Sequence, residues 1–166
     1  MSEKDIIVPL IKIKERSIFS LDELYKMLLY WFNVHRYDLQ ETEYRDNDIG
    51  GGKKNVEIKW YAEKKINDYF KFVIETSFLI LGLEDVEVEQ EGTKVKSNRG
   101  EIEFNIRSSI VKDFDNKWET GIMRFLRGTY DKFIIKSRIE GYEKELYEEV
   151  YAYMDEIKVF LNLHRF

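Results

Sequence analysis

The chain has 166 residues, 27 of them basic and 32 acidic, a formal net charge of −5 and no cysteine. Its 43% hydrophobic and 15% aromatic content is too rich for intrinsic disorder, and the missing thiols exclude disulfides, thiolate nucleophiles and cysteine-ligated zinc or iron–sulfur centres. The longest uncharged apolar run, residues 76–83, falls far short of the ~20 residues of a membrane-spanning helix, and the opening MSEKDII lacks the basic and apolar regions of a signal peptide. A cytoplasmic chain forming one domain over residues 1–166 is the expectation.

Residues 6–14 (IIVPLIKIK) are rich in β-branched side chains and read as a first strand. Pro9 places that strand at a sheet edge or a bulge, because proline has no N–H for a central ladder. Residues 19–34 read as a helix: Ser20 and Glu23 have capping-box spacing, and Phe19 and Leu24 stand at the positions of a hydrophobic staple. Its apolar face, Leu21, Leu24, Tyr25, Leu28, Leu29, Trp31 and Phe32, is wide enough to require docking on a sheet.

Residues 38–46 form a polar strand in this reading, with Glu41 and Glu43 on one face. The glycine-rich residues 48–54 form a turn. Residues 55–65 alternate, with Val56, Ile58, Trp60 and Ala62 inward. After a turn at Asn67-Asp68, residues 69–81 form the most apolar strand, with hydrophobic residues on both faces. Val86 and Val88 mark another strand, residues 93–97 a short one between the turn signals Glu91-Gly92 and Asn98-Arg99-Gly100, and residues 101–111 a last one. Strands joined by turns this short are antiparallel.

From residue 116 the apolar period becomes helical, along Ile122, Phe125, Leu126, Tyr130, Phe133 and Ile134 and then Tyr142, Leu146, Val150, Tyr153, Ile157 and Phe160. Gly141 predicts a break between two C-terminal helices. The fold class is therefore α+β: a curved antiparallel meander of six to seven strands, residues 6–115 with the first helix, packed against that helix and the helices of residues 116–163. A sheet of this kind cannot bury its apolar face without a helix layer. This element order resembles the helix-grip (START-like) architecture, which implies an apolar cavity between sheet and C-terminal helix.

The chemistry-bearing residues are sparse. His35 falls at the end of the first helix, where a cation complements the dipole, and His164 lies near the C-terminus; neither has metal-ligand or catalytic spacing. Asp113 and Asp115 flank Phe114 as solvated carboxylates, and GGGKK lacks the phosphate-loop pattern. Ser108 and Ser109 have no nucleophile elbow around them. Glu75, inside the most apolar strand, calls for an ion pair with a basic residue on a neighbouring strand. Neither a catalytic set, a metal site nor a cofactor motif emerges.

Three functional readings follow. The first is an interaction domain, a homodimer or a module for a protein partner, using the helical seam Val150, Tyr153, Ile157 and Phe160. The second, implied by the helix-grip resemblance, is binding of an apolar small molecule in a cavity lined by Trp60, Phe72, Glu75, Phe104 and Tyr130. The third is an enzyme using carboxylates and arginines alone, with no motif behind it; a weaker alternative is nucleic-acid contact through a basic stripe of Arg124, Arg127 and Arg138, which the net acidity of the chain opposes.

Overall fold

The computed structural model describes residues 3–112, 125–126, 129 and 136–163. Those residues form an α+β arrangement: β1 (Glu3–Phe19), α1 (Leu21–Val34), β2 (Asp38–Gly50), β3 (Lys53–Lys65), β4 (Phe70–Gln90), β5 (Thr93–Lys112) and α2 (Lys136–Leu163). The strands build one open antiparallel sheet in the order β1-β5-β4-β3-β2. β2 to β5 are a meander, and β1 returns to the far edge beside β5.

Five long strands replace the six to seven expected. The runs at residues 86–89 and 93–97 are the distal halves of β4 and β5, not separate strands. Gly82, with φ +63, sits in a bulge between Leu81 and Glu84 that redirects β4 without ending it. Gly100 is a packing glycine: a Cβ there would meet the Leu81 carbonyl oxygen at 3.3 Å. In the sequence a strand ends at Leu81, just before Gly82, and Asn98-Arg99-Gly100 reads as a turn. The true hairpin turn is Glu91-Gly92, where both residues have positive φ, the backbone that matches the twist of the flanking strands.

β1 is an edge strand, and its register shifts lie on both sides of Val8, with Pro9 inside the second irregular stretch. The other edge, β2, carries Asp38, Glu41, Glu43, Asp46 and Asp48, charges that discourage pairing with a further strand.

α1 begins as its sequence dictates. Ser20 is the N-cap and its Oγ accepts the Glu23 N–H at 3.2 Å. The helix ends in a Schellman motif, with the Arg36 N–H donating to Asn33 and the Tyr37 N–H to Phe32, and Arg36 in the left-handed region at φ 64. His35 is the C-cap; its Nδ1 lies 2.8 Å from the Trp31 carbonyl and its ring stacks on the Trp31 indole at 4.0 Å.

α2 runs unbroken through Gly141, contrary to the expected break. The packing of Tyr142, Leu146 and Val150 on the core outweighs the ~1 kcal/mol that a helical glycine costs. Leu146, Val150, Tyr153, Met154, Ile157 and Leu161 are buried along one face of α2. They close on the inner face of the sheet, formed by Val56, Ile58, Trp60 and Ala62 of β3, Phe72, Ile74, Phe78 and Ile80 of β4, and Ile102, Phe104 and Ile106 of β5. Rings join the two helices, with Tyr153 4.8 Å from Trp31 and 5.0 Å from Phe32, and neighbouring strands, with Phe78 4.9 Å from Trp60 and 5.5 Å from Phe104; Phe32, 6.1 Å from Trp60, bridges the layers.

Within this core the Tyr153 hydroxyl and Thr76 Oγ1 are buried without a hydrogen-bond partner; they neighbour each other outside bonding geometry. Burial pushes the Tyr153 phenol well above its usual pKa, so it stays neutral. A buried hydroxyl with no partner carries a desolvation penalty that a methyl or ring hydrogen does not. Tyr153→Phe is therefore expected to leave stability unchanged or raise it by up to about 1 kcal/mol, and Thr76→Val to behave alike. Urea denaturation of both variants measures this; a loss above about 1 kcal/mol would show that the hydroxyls are paired.

Candidate functional site

The residues expected to line a sheet–helix cavity fill the space instead. Trp60, Phe72 and Phe104 are all buried at 2% exposure or less. Trp60 and Phe104 both pack on Phe78, and Phe72 meets the Tyr142 ring at 6.2 Å and the Lys64 ammonium at 5.5 Å. Glu75 points the other way. It stands on the outer face opposite Arg107, whose Nη2 lies 2.7 Å from its Oε2, with Lys4 at 3.4 Å from the same oxygen. That is the cross-strand ion pair its sequence context called for. Tyr130 lies outside the described residues.

The seam on α2 faces inward. Val150, Tyr153 and Ile157 are fully buried and Phe160 partly so. Val150, Tyr153 and Ile157 pack within the chain's own core, and Phe160 packs against it with part of its surface exposed. Of the basic stripe, Arg138 is exposed on α2, while Arg124 and Arg127 lie outside the described residues, as do Asp113, Asp115 and His164. Among the described residues no group of three or more His, Asp or Glu is placed to hold a metal ion.

Glu41 and Glu43 do not share a face. A bulge between them pairs Glu41 with Trp60 and Glu43 with Lys59, and one extra residue in a strand reverses the alternation that follows. Glu43 holds the Lys59 ammonium at 2.6 Å on the outer side, and that hydrogen bond keeps its carboxyl below the usual pKa. Glu41 turns to the helix side, where its Oε2 accepts both the Tyr25 hydroxyl at 2.6 Å and the Trp60 indole N–H at 2.9 Å. This carboxylate ties α1 to β3.

Beside that tie, a groove of about 360 Å³ opens between the first turn of α1 and the sheet, within the size range of small-molecule sites. Its floor is Ile58 of β3 and Leu83 of β4, both almost fully buried. Leu21 and Tyr25 of α1 and Tyr44 of β2 form apolar and aromatic walls, and Asp22, Lys54, Asp85 and Asn98 stand around the rim. Asn98 is the corner: its Oδ1 accepts the Leu21 N–H at 3.1 Å, one of the orphan donors of the helix start, and its Nδ2 donates to Asp85 at 2.9 Å. The bulge at Gly82 carries Leu83 and Asp85 into place. A second depression adjoins the first, sharing Lys54, Leu83 and Asp85 and adding Asp46, Asp48, Gly52 and Lys53.

The protonation states here are fixed near neutrality. Burial, then the hydrogen bond and charge of Glu41, push the Tyr25 phenol up to about 12. The hydrogen bond to Asp46, 3.0 Å from Nζ, raises the Lys54 pKa. Tyr25 therefore remains a donor and Lys54 a cation.

A third depression, about 340 Å³, lies on the outer face between Leu10, Lys59, Tyr61, Glu75, Ser77, Asn105 and Arg107. Its charges are already matched by the Glu75–Arg107 and Lys59–Glu43 pairs, in a face laced with further pairs such as Lys12–Glu103 and Lys14–Glu101. The buried Trp60 and Thr76 also line it; unlike the groove beside α1, it lies wholly on the strands, with no helix among the described residues to close one side.

None of the groove residues was a sequence candidate. Leu21, Tyr44, Leu83 and Asn98 come from four different elements, and nothing in local spacing brings them together. Asn98 had a signal of its own, a polar residue before Arg99-Gly100, which reads as a turn because its role as a helix cap spans 77 residues of sequence. Compared with known protein families, curated proteins and solved structures, the chain matches none of them.

Proposed function

We propose that this chain is a binding module for a small molecule with an apolar body, held between the start of α1 and the sheet rather than in the cavity between sheet and C-terminal helix that the helix-grip resemblance implies. The observation that carries this reading is the groove itself. Two buried aliphatic side chains form its floor, two tyrosines its walls, and its components converge from α1, β2, β3, β4 and β5. Such a concave apolar surface ringed by a few polar groups is the ordinary form of a ligand site. The ligand sits at the mouth of the sheet–helix layer, because the rings of Trp60, Phe32, Phe78 and Phe104 occupy the interior. Of the seam behind the competing interaction reading, Val150, Tyr153 and Ile157 turn inward, which favours the groove as the site.

Amide chemical-shift mapping of the labelled protein against a library of small aromatic and aliphatic compounds tests the proposal. Binders are expected to shift the Leu21, Tyr44, Ile58 and Leu83 amides together. Leu21→Trp, which places an indole in the groove from the half-buried rim, is expected to remove those shifts while the melting profile stays close to that of the parent. Binders that cluster on the outer face, or a library that moves no amide around the groove, would overturn the reading.

A further inference from the structure

We infer that the groove beside α1 selects organic cations: amines whose ammonium sits at the aspartate rim and whose apolar body lies on Ile58 and Leu83. This deepens the proposed function and depends on it. Four aspartates, Asp22, Asp46, Asp48 and Asp85, stand around the groove and the adjoining depression against two lysines, Lys53 and Lys54. Most of this charge is spoken for within the fold. Asp46 holds Lys54 at 3.0 Å, Asp22 holds Lys26 at 2.7 Å, and Asp48 Oδ1 accepts the Gly50 N–H.

Asp85 differs. It is exposed, its Oδ1 accepts the neutral amide of Asn98, and among the described residues no basic side chain forms an ion pair with it. It stands at the junction of the two depressions, on both of their rims. The Asp85 charge acts on Lys54 without a direct ion pair, so this carboxylate is positioned by an amide and only partly offset, which leaves it able to take a ligand cation.

The walls favour the same charge. Tyrosine ring faces attract cations, and the Tyr25 hydroxyl donates to the Glu41 carboxylate, which places a further negative charge behind that ring. The net charge of −5 adds a weak field that draws cations towards the chain and repels anions. An anionic ligand would meet Asp22, Asp85 and the ring faces, against Lys54, which Asp46 already pairs, Lys53 of the adjoining depression and the positive end of α1, whose first N–H is already taken by Asn98.

Three probes that share a phenylethyl body separate the outcomes: 2-phenylethylamine, 2-phenylethanol and 3-phenylpropanoate, titrated into the full chain and followed at the groove amides. The amine is expected to bind about tenfold more tightly than the alcohol at low salt, the combined effect of one exposed ion pair and one cation–π contact. The carboxylate is expected not to bind. Asp85→Asn keeps an oxygen for the Asn98 amide, and should weaken the amine about fivefold while leaving the alcohol unchanged. Raising the salt should narrow the gap between amine and alcohol.

Equal affinity for amine and alcohol, or an Asp85→Asn variant that weakens both alike, would overturn the cation inference and leave the groove as a neutral apolar site. Binding of none of the three at the groove would overturn the inference and the proposed function together. Alcohol binding to Asp85→Asn also reports that the variant retains the groove, so a failure to fold is not read as lost selectivity.

Discussion

Replacing Trp60 by alanine is expected to lower the free energy of unfolding by about 4 kcal/mol, near the middle of the range for large aromatic truncations in a core. The indole is 2% exposed and stands edge-on to three rings, Phe78 at 4.9 Å, Tyr25 at 5.1 Å and Phe32 at 6.1 Å. Those rings belong to β4 and α1. A collapse that closed the cavity would have to move the helix against the sheet, so most of the void would persist. The indole N–H also donates to Glu41, which simultaneously takes the Tyr25 hydroxyl. Trp60→Phe keeps much of the packing and loses that hydrogen bond, and is expected to cost about half as much. In urea denaturation the midpoint should fall for both variants, with the slope unchanged. A loss below about 1.5 kcal/mol for Trp60→Ala would mean that the site repacks freely and that α1 is not held as described.

The layer built on this tryptophan was legible because its physics is local. Val56, Ile58, Trp60 and Ala62 alternate in sequence and all four are buried; Ser20 caps the helix three residues before Glu23; Pro9 sits on an edge strand between irregular pairs. Each of these depends on neighbours within a few positions. The misreadings arose where a local signal has two structural outcomes. A glycine marks a turn or a bulge, and at Gly82 it is a bulge that lets β4 continue to Gln90. A glycine in a helical pattern marks a break unless tertiary packing overrides it, as around Gly141. Glu41 and Glu43 alternate correctly in sequence and part company at one inserted residue. A spacing of three and four along Val150, Tyr153 and Ile157 specifies an apolar face without specifying what covers it, and the cover is the chain's own sheet. The groove was illegible for a different reason. It is assembled from one to three residues on each of five elements, and depends on where the Gly82 bulge carries Leu83 and Asp85 relative to α1.

Glu149→Ala is the substitution expected to have the second largest effect, a loss of about 3 kcal/mol. On α2, Glu149 takes the Lys64 ammonium at 2.6 Å on one oxygen and the Tyr37 hydroxyl at 2.6 Å on the other. The pair is mostly shielded, with side-chain exposures of 14% for Lys64 and 17% for Glu149, and Tyr37 is 6% exposed. Burial first, then the Glu149 charge, keeps the Tyr37 phenol protonated far into the alkaline range, so it remains a donor. The Lys64 ammonium also lies 4.7 Å from the centre of the Tyr37 ring and 5.5 Å from that of Phe72. Removing the carboxylate leaves a cation among aromatic rings and a buried hydroxyl, both without their acceptor, and the uncompensated cation dominates the cost. The expected damage is therefore conditional on Lys64. Lys64→Met combined with Glu149→Leu replaces the pair by apolar groups of similar size and should recover most of the lost stability, since well-packed substitutes for a shielded ion pair are often close to neutral. A double-mutant cycle in urea measures this, with a coupling of about 2 kcal/mol expected. A double variant no more stable than Glu149→Ala would show that the carboxylate acts through Tyr37 alone. The clamp joins α2 to the end of β3 and to the connection after α1, so its loss should also accelerate amide exchange along α2 more than in the central strands β4 and β5.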